Sequence, residues 1–207
     1  MIEVILFVED QGHRHVIGGL LERVAKELGI SINPRFRNAA GGLGRTLASL
    51  REYVGQISKR GASGVDLVVV AIDANCRGAA AKRREIEEAA RPLTERGVPI
   101  VCAIPDPHVE RWLLLDSAAF RQVFGKGCHA PDQKCEKSRY KSLLLRAIRE
   151  AGDEPLLGGV EFAADLIEAM DLASVASREP SVRQFLDDLR RALRDHDRTG
   201  GASNRAL

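Results

Sequence analysis

The chain has 207 residues, of which 44% are hydrophobic, 29% charged and only 4% aromatic. This composition is typical of a globular protein with an aliphatic core, and a net charge of +2 neither favours nor excludes a nucleic-acid partner. No apolar run reaches the length of a membrane span, and the N-terminus does not resemble a signal peptide. We therefore expect a cytoplasmic protein with reduced thiols. The four cysteines are Cys76, Cys102, Cys128 and Cys135.

Strand and helix patterns alternate through the first half of the chain. Residues 4–8, 67–72 and 100–104 are apolar nearly throughout, which is typical of strands covered on both faces. A fourth strand at 30–36 contains Pro34, which restricts it to a sheet edge or a bulge. Helical patterns lie between these runs. They occupy 16–28, which Gly29 ends, 47–57 and 77–97.

From about Pro107 onward only helical patterns occur, at 108–124, 137–152, 159–170 and 181–196. The alternation predicts an α/β fold with a mainly parallel sheet flanked by helices. We expect this core at 1–125, a helical C-terminal extension at 126–196 and a flexible tail at 197–207.

Acidic residues follow each of the three confident strands. Glu9 and Asp10 follow the first, Asp73 the second and Asp106 the third, with Glu110 four residues later. Ligands of parallel sheets bind beyond the carboxyl ends of the strands. If Asp106 caps a helix that starts at the next residue, Asp106 and Glu110 lie near one face of that helix.

Clustered carboxylates repel one another, and a hard divalent cation such as Mg²⁺ or Mn²⁺ relieves that repulsion. The strand ends therefore predict a cation site. Each acid also has a structural interpretation: Asp106 as a helix cap alone, and Glu9 with Asp10 as the start of a solvated loop.

The segments "FVED", "VVVAIDAN" and "AIPDPHVERWLLLD" resemble the Toprim domain. More narrowly, they resemble the small Toprim-like proteins of bacterial defence loci, which are related to overcoming-lysogenization-defect nucleases and often stand beside an ATPase. The family glutamate maps to Glu9 and the first residue of its Asp-x-Asp motif to Asp73. The second falls on Asn75, which offers a carbonyl ligand without charge.

The resemblance implies a Mg²⁺-dependent phosphodiesterase, a nuclease of DNA or RNA that acts in antiviral defence with an ATPase partner. The catalytic candidates are Glu9, Asp73, Glu110 and His13. The metal-ligand candidates are Glu9, Asp73, Asn75 and Asp106. One alternative is a non-catalytic Toprim-like module that binds nucleic acid or a partner protein. Another is a receiver-like signalling domain, which needs a lysine after a fifth strand.

Two histidines follow Glu9 closely. His13 either binds phosphate or acts as a general base, or it lies in an exposed first helical turn, where we also place His15.

The cysteines and the histidine of the segment 128–135 also permit a zinc site. Its ligands would be Cys128, His129, Cys135 and, as the remaining fourth, Cys76.

Basic residues are concentrated between 117 and 152. A nucleic-acid backbone requires such charges, whereas a solvated helix face explains them without function. Tyr140 is a candidate for stacking on a base. The glycine-rich turn before Arg45 is not a P-loop. It either presents backbone N–H groups to the phosphates of a nucleic-acid backbone or is a flexible turn without function. The nucleic-acid-binding candidates are Arg45, Lys134, Lys137, Arg139, Tyr140 and Lys141.

Overall fold

The computed structural model describes residues 1–38, 41–60, 64–76, 78–136 and 138–203. Within these residues the strands are β1 (Ile2–Val8), β2 (Ile32–Asn38), β3 (Leu67–Ala71) and β4 (Ile100–Ala103). They form one fully parallel sheet in the order β2-β1-β3-β4. The predicted α/β class is confirmed, and the strand that contains Pro34 lies at an edge.

The described residues form nine α-helices. They are α1 (Gln11–Leu28), α2 (Leu43–Arg60), α3 (Ala79–Thr94), α4 (Val109–Leu113), α5 (Ser117–Phe124), α6 (Arg139–Glu150), α7 (Ala163–Ala169), α8 (Leu172–Arg178) and α9 (Pro180–Ser203). A short 3-10 turn at Val160–Phe162 precedes α7. Helix α9 runs past the predicted end at 196, so the segment expected to be a flexible tail begins as helix. Residues 204–207 lie outside the described residues.

Helices cover both faces of the sheet, which explains why its central strands lack polar alternation. One face, with Phe7 and Val70, packs against α2 and α3. The other, with Leu6 and Val69, packs against α1 and the C-terminal helices. Helices α7 and α9 contact α1, and α9 also contacts β4. The helical third therefore shares a core with the sheet.

Helix α1 begins and ends where its sequence signals indicate. The Asp10 side chain accepts a hydrogen bond from the backbone N–H of His13 at 2.9 Å and so caps the first turn. Gly29 ends the helix in the left-handed region, with a φ of 69°. The same capping geometry fixes His13 at the carboxyl edge of β1.

The loops after β1 and β3 lie side by side. Because β1 connects to β2 on one side and pairs with β3 on the other, the order of the sheet reverses between β1 and β3, which is where parallel sheets bind ligands. No fifth strand, which a receiver domain requires, occurs among the described residues. Nor does any described helix combine the length and apolar character needed to cross a bilayer.

Candidate functional site

Asp73 is the centre of a compact polar cluster at the end of β3. Its Oδ1 accepts a hydrogen bond from the backbone N–H of Val109 at 2.9 Å, and its Oδ2 lies 2.9 Å from Nδ1 of His108. Nε2 of His13 lies 3.1 Å from Oδ1. Burial raises the pKa of Asp73, but the charge of His13 and the hydrogen bond from His108 outweigh it, so the pKa is lowered. Asp73 is therefore a buried, compensated anion.

His13 is fully buried between two carboxylates. Its Nδ1 lies 2.8 Å from Oδ1 of Asp10; its Nε2 faces Asp73 off the line of a good hydrogen bond, so that contact is an ion pair. Burial lowers the pKa of His13, but the two carboxylates raise it to about 10. The expectation of an exposed turn is wrong for His13, although it holds for His15. An imidazole with this pKa is protonated at neutral pH and is therefore unsuited to act as a general base.

His108 is the functional residue that the sequence interpretation missed. It is half-buried, and the hydrogen bond to Asp73 raises its pKa, with further contributions from the charges of Glu110 and Glu9. Its ring packs beside Tyr140, with 6.0 Å between the centroids. Its position shortly after β4 was the available signal, because side chains there reach the edge of the sheet that carries Asp73.

Glu9 and Glu110 are half-buried carboxylates near this cluster. Oε2 of Glu9 accepts a weak hydrogen bond from the backbone N–H of Asp73 at 3.4 Å, so the predicted approach of Glu9 to Asp73 is present. Burial raises the pKa of both glutamates, and the charge of Asp73 raises them further. Neither carboxylate forms an ion pair with a cationic side chain in the described part of the chain.

A hard cation fits some of the predicted ligands better than others. Among the described residues, no three His, Cys, Asp or Glu side chains converge in a metal-ligand arrangement. Glu9 and Glu110 are half-buried carboxylates that no cationic side chain pairs with among the described residues. Their oxygens are ligands of the kind that Mg²⁺ prefers. The oxygens of Asp73 already have partners. Two carboxylates and solvent are therefore the donor set that this edge offers.

Asn75 and Asp106, the other two predicted metal ligands, take part in backbone contacts of their loops. Asn75 is exposed and adopts a φ of 49°, and its backbone N–H donates to the carbonyl of Pro107 at 3.2 Å. Helix α4 begins at Val109, so the prediction that Asp106 caps a helix starting at Pro107 is wrong. The backbone there instead passes through a cis Asp106–Pro107 peptide, and the carbonyl of Asp106 accepts a bond from Arg111 at 3.4 Å.

Cys76 and Cys135 form a disulfide. The prediction of four reduced thiols is therefore wrong for this pair, whereas Cys102 and Cys128 are free. The zinc alternative is also wrong, because two of its four ligands are bonded to each other. The disulfide joins the loop that follows Asp73 to the loop that precedes α6.

Tyr140 anchors that second loop from inside the protein. Its side chain is fully buried. The hydroxyl accepts from the backbone N–H of Lys134 at 2.7 Å and lies 2.9 Å from the carbonyl of the same residue. The prediction that Tyr140 stacks on a base is wrong, because no base can reach the ring.

Carboxylates neutralise much of the predicted basic segment. Asp132 pairs with Arg139 at 2.5 Å and with Lys134 at 3.2 Å. Glu136 pairs with Arg139 at 3.2 Å. Lys141 is exposed, and Lys137 lies outside the described residues. The segment therefore offers less free charge than its sequence indicates.

The glycine-rich turn lies beside Glu9. Gly42 has a φ of 83°, and a β-carbon there would lie 3.6 Å from Oε1 of Glu9. Gly41 has a φ of 131°, and a β-carbon would lie 2.5 Å from Cδ of Arg45. The positive φ angles favour glycine at both positions. Because Gly42 adjoins Glu9 and Gly41 adjoins Arg45, the turn brings Arg45 to the carboxyl edge of the sheet. Ala39 and Ala40, before the turn, lie outside the described residues.

A cavity of about 780 Å³ lies elsewhere, between α6 and the loop at 127–132. Its lining includes Cys128, Arg139 and Glu150 but none of the residues around Asp73. Cavity size therefore does not mark the polar cluster.

A family model described as a domain of unknown function (DUF4276) matches residues 8–190. The chain belongs to the DUF4276 family. The match begins at the end of β1 and ends within α9, so the family unit contains the whole polar cluster and the helices that support it. Neither the curated proteins nor the solved structures compared with this chain provide a match.

Proposed function

We propose that this DUF4276 protein is a Toprim-like phosphodiesterase that uses a divalent cation to cut nucleic acid. The observation that carries the proposal is the pairing of His108 with the buried Asp73 at 2.9 Å. Beside this pair lie Glu9 and Glu110, whose pKa values burial raises. A proton-transfer group thus stands next to carboxylates that favour a cation.

Each side chain has a separate task in this mechanism. Asp73 holds Nδ1 of His108 and leaves Nε2 to exchange a proton. The hydrogen bond to Asp73 raises the pKa of His108 and so stabilises its imidazolium form, which suits donation to the leaving oxygen. His13 keeps Asp73 ionised. Glu9 and Glu110 would hold Mg²⁺ or Mn²⁺, which supplies neutralisation and activation of the phosphate when bound.

A second candidate is a non-catalytic module that binds nucleic acid at the same edge. The observation that favours it is the saturation of Asp73, whose two oxygens contact Val109, His108 and His13. Under this second proposal, the polar cluster has a structural role, and Asn75 stands where a nuclease has a charged aspartate.

The biological setting belongs to the same proposal. We infer a cytoplasmic protein of bacterial defence that works with an ATPase partner. The resemblance of "FVED", "VVVAIDAN" and "AIPDPHVERWLLLD" to the Toprim-like proteins of defence loci supports this inference. Co-purification of the tagged chain with the product of a neighbouring ATPase gene tests it.

Cleavage of labelled single-stranded DNA, duplex DNA and RNA, with Mg²⁺, Mn²⁺ or EDTA, tests the activity. We expect cation-dependent cleavage that His108→Gln slows by roughly 100-fold or more, since general acid catalysis contributes about 10²–10⁴. His15→Gln is the matched control, because it removes an exposed histidine. Cleavage that persists unchanged in EDTA or in His108→Gln contradicts the mechanism. Binding without cleavage favours the non-catalytic module.

A further inference from the structure

Two arginines place their guanidinium groups over aromatic rings next to the carboxyl edge of the sheet. The guanidinium carbon of Arg14, in the first turns of α1, is 4.8 Å from the centroid of Phe36. That of Arg37, near the end of β2, is 4.7 Å from the centroid of Tyr53. Both residues are exposed. Neither pairs with a carboxylate in the described ranges, in contrast to Arg139.

The position of these arginines relates them to Glu9. Arg37 is in register with Phe7 of β1, two residues before Glu9. The backbone N–H of Arg14 donates to the carbonyl of Asp10 at 3.1 Å. Arg45 lies over the turn whose Gly42 adjoins Glu9. Because α1 and α2 cover opposite faces of the sheet, these three arginines border the β2 side of the site. We call Arg14, Arg37 and Arg45 the arginine rim.

The chemistry of the rim suits phosphate. A guanidinium held on an aromatic face has lost part of its conformational freedom already, while its edge N–H groups remain available for two parallel bonds to a phosphate. Arg14 and Arg37 also have no carboxylate partner among the described residues, so their positive charge attracts a polyanion. Residues Lys134 and Arg139 lack this property, because Asp132 neutralises them.

We propose that a nucleic-acid backbone reaches the site across the arginine rim, along the β2 edge, and not along the basic segment at 134–141. This inference rests on the proposed function for the identity of the ligand. The adjoining His108 and glutamates favour a phosphodiester chain over an acidic protein segment as the occupant.

The test measures binding without cleavage. A fluorescein-labelled 20-nucleotide single strand is titrated in EDTA at several salt concentrations, and anisotropy gives the affinity. On a single strand, each lost phosphate contact reduces the magnitude of the slope of log affinity against log salt by roughly 0.7, so Arg14→Gln/Arg37→Gln should reduce it by roughly 1.4. Arg35→Gln is the matched control on the same strand, because Arg35 already pairs with Glu3 at 2.9 Å.

A further variant separates charge from geometry. Arg37→Lys keeps the charge but not the planar fork on Tyr53, so the salt slope should stay near that of the wild type while the affinity falls. Thermal midpoints near that of the wild type confirm that the variants fold.

Three outcomes overturn the rim: no binding by the wild type at low salt, equal slopes for the double variant and Arg35→Gln, or equal competition by polyglutamate, which identifies an acidic protein partner instead. If the double variant has the reduced salt slope but the wild type cuts no nucleic acid, the proposed function is wrong and the arginine rim stands. If the wild type cuts nucleic acid but the salt slope of the double variant is unchanged, the arginine rim is wrong and the proposed function stands.

Discussion

At the residue scale, the site is a row of alternating charges: Asp10, His13, Asp73 and His108. Each member contacts the next at 2.8 to 3.1 Å. Burial raises the pKa of Asp10, but its bonds to His13 lower it to about 2. The histidines thus supply the compensation that we expected from a cation alone. In the proposed mechanism, a cation would be held only by Glu9 and Glu110.

Removing His13 should destabilise the protein in a pH-dependent way. Loss of one partner from a buried ion pair costs about 3–5 kcal/mol, so His13→Gln should lower the free energy of unfolding by that order near pH 6.5. The folded pKa of about 10 exceeds the unfolded value. The contribution is therefore complete below about pH 6.5 and declines by about 1.4 kcal/mol per pH unit toward pH 10.

Urea denaturation of the wild type and His13→Gln between pH 6 and 10 measures this difference. His15→Gln, the exposed neighbour, should match the wild type throughout. A stability difference that is the same at pH 6 and pH 10 would show that His13 is not protonated in the folded protein.

Asp73 should control the protonation of His108. Because the hydrogen bond that His108 donates to Asp73 is the largest cause of the raised pKa of His108, Asp73→Asn should lower that pKa. Titration of the His108 ring by NMR measures it, and Asp106→Asn is the control. A pKa that is unchanged in Asp73→Asn would mean that the two side chains are not bonded in solution.

At the element scale, the sequence predicted the sheet well because its signals are local. Apolar runs identified β1, β3 and β4, and Pro34 indicated the edge position of β2. The start of α4 escaped because His108, which precedes it, forms no side-chain cap. Helix α8 escaped because it has only seven residues, although the side chain of Asp171 caps it by accepting from the N–H of Ser174.

The side-chain roles of His13, His108 and Tyr140 also escaped the sequence interpretation. Contacts that no local pattern encodes decide each of them. Asp73 pairs with both histidines, and the backbone of the loop at Asp132 and Lys134 bonds the hydroxyl of Tyr140. Glu9 and Asp73 were predictable as neighbours because parallel strands bring their carboxyl ends to one edge.

The disulfide between Cys76 and Cys135 should stabilise two loops together. It closes a loop with a sequence separation of 59, and cross-links of this size contribute roughly 2–4 kcal/mol, mainly through the unfolded chain. Cys76→Ser/Cys135→Ser should therefore lower the urea midpoint, as should reduction of the wild type by a dithiol. Cys128→Ser, which alters a free thiol, is the control. Equal midpoints for the wild type and the double variant would show that the bond does not form.

At the scale of the whole molecule, charge is arranged around the point where the strand order reverses. Carboxylates and histidines lie between β1 and β3, and the arginine rim borders them on the β2 side. The C-terminal helices contribute no ligand of their own but pack on α1 and α4, which carry His13 and Glu110. The family match across residues 8–190 agrees with one functional unit.

The central claim, that Glu9 and Glu110 hold a divalent cation beside His108, is tested most directly by Mn²⁺ binding measured by electron paramagnetic resonance. The account predicts binding by the wild type that Mg²⁺ displaces, and an affinity at least about tenfold lower in Glu9→Gln/Glu110→Gln. Asp106→Asn should bind as the wild type does. Absence of Mn²⁺ binding by the wild type, or equal weakening in Asp106→Asn and the double variant, would contradict it.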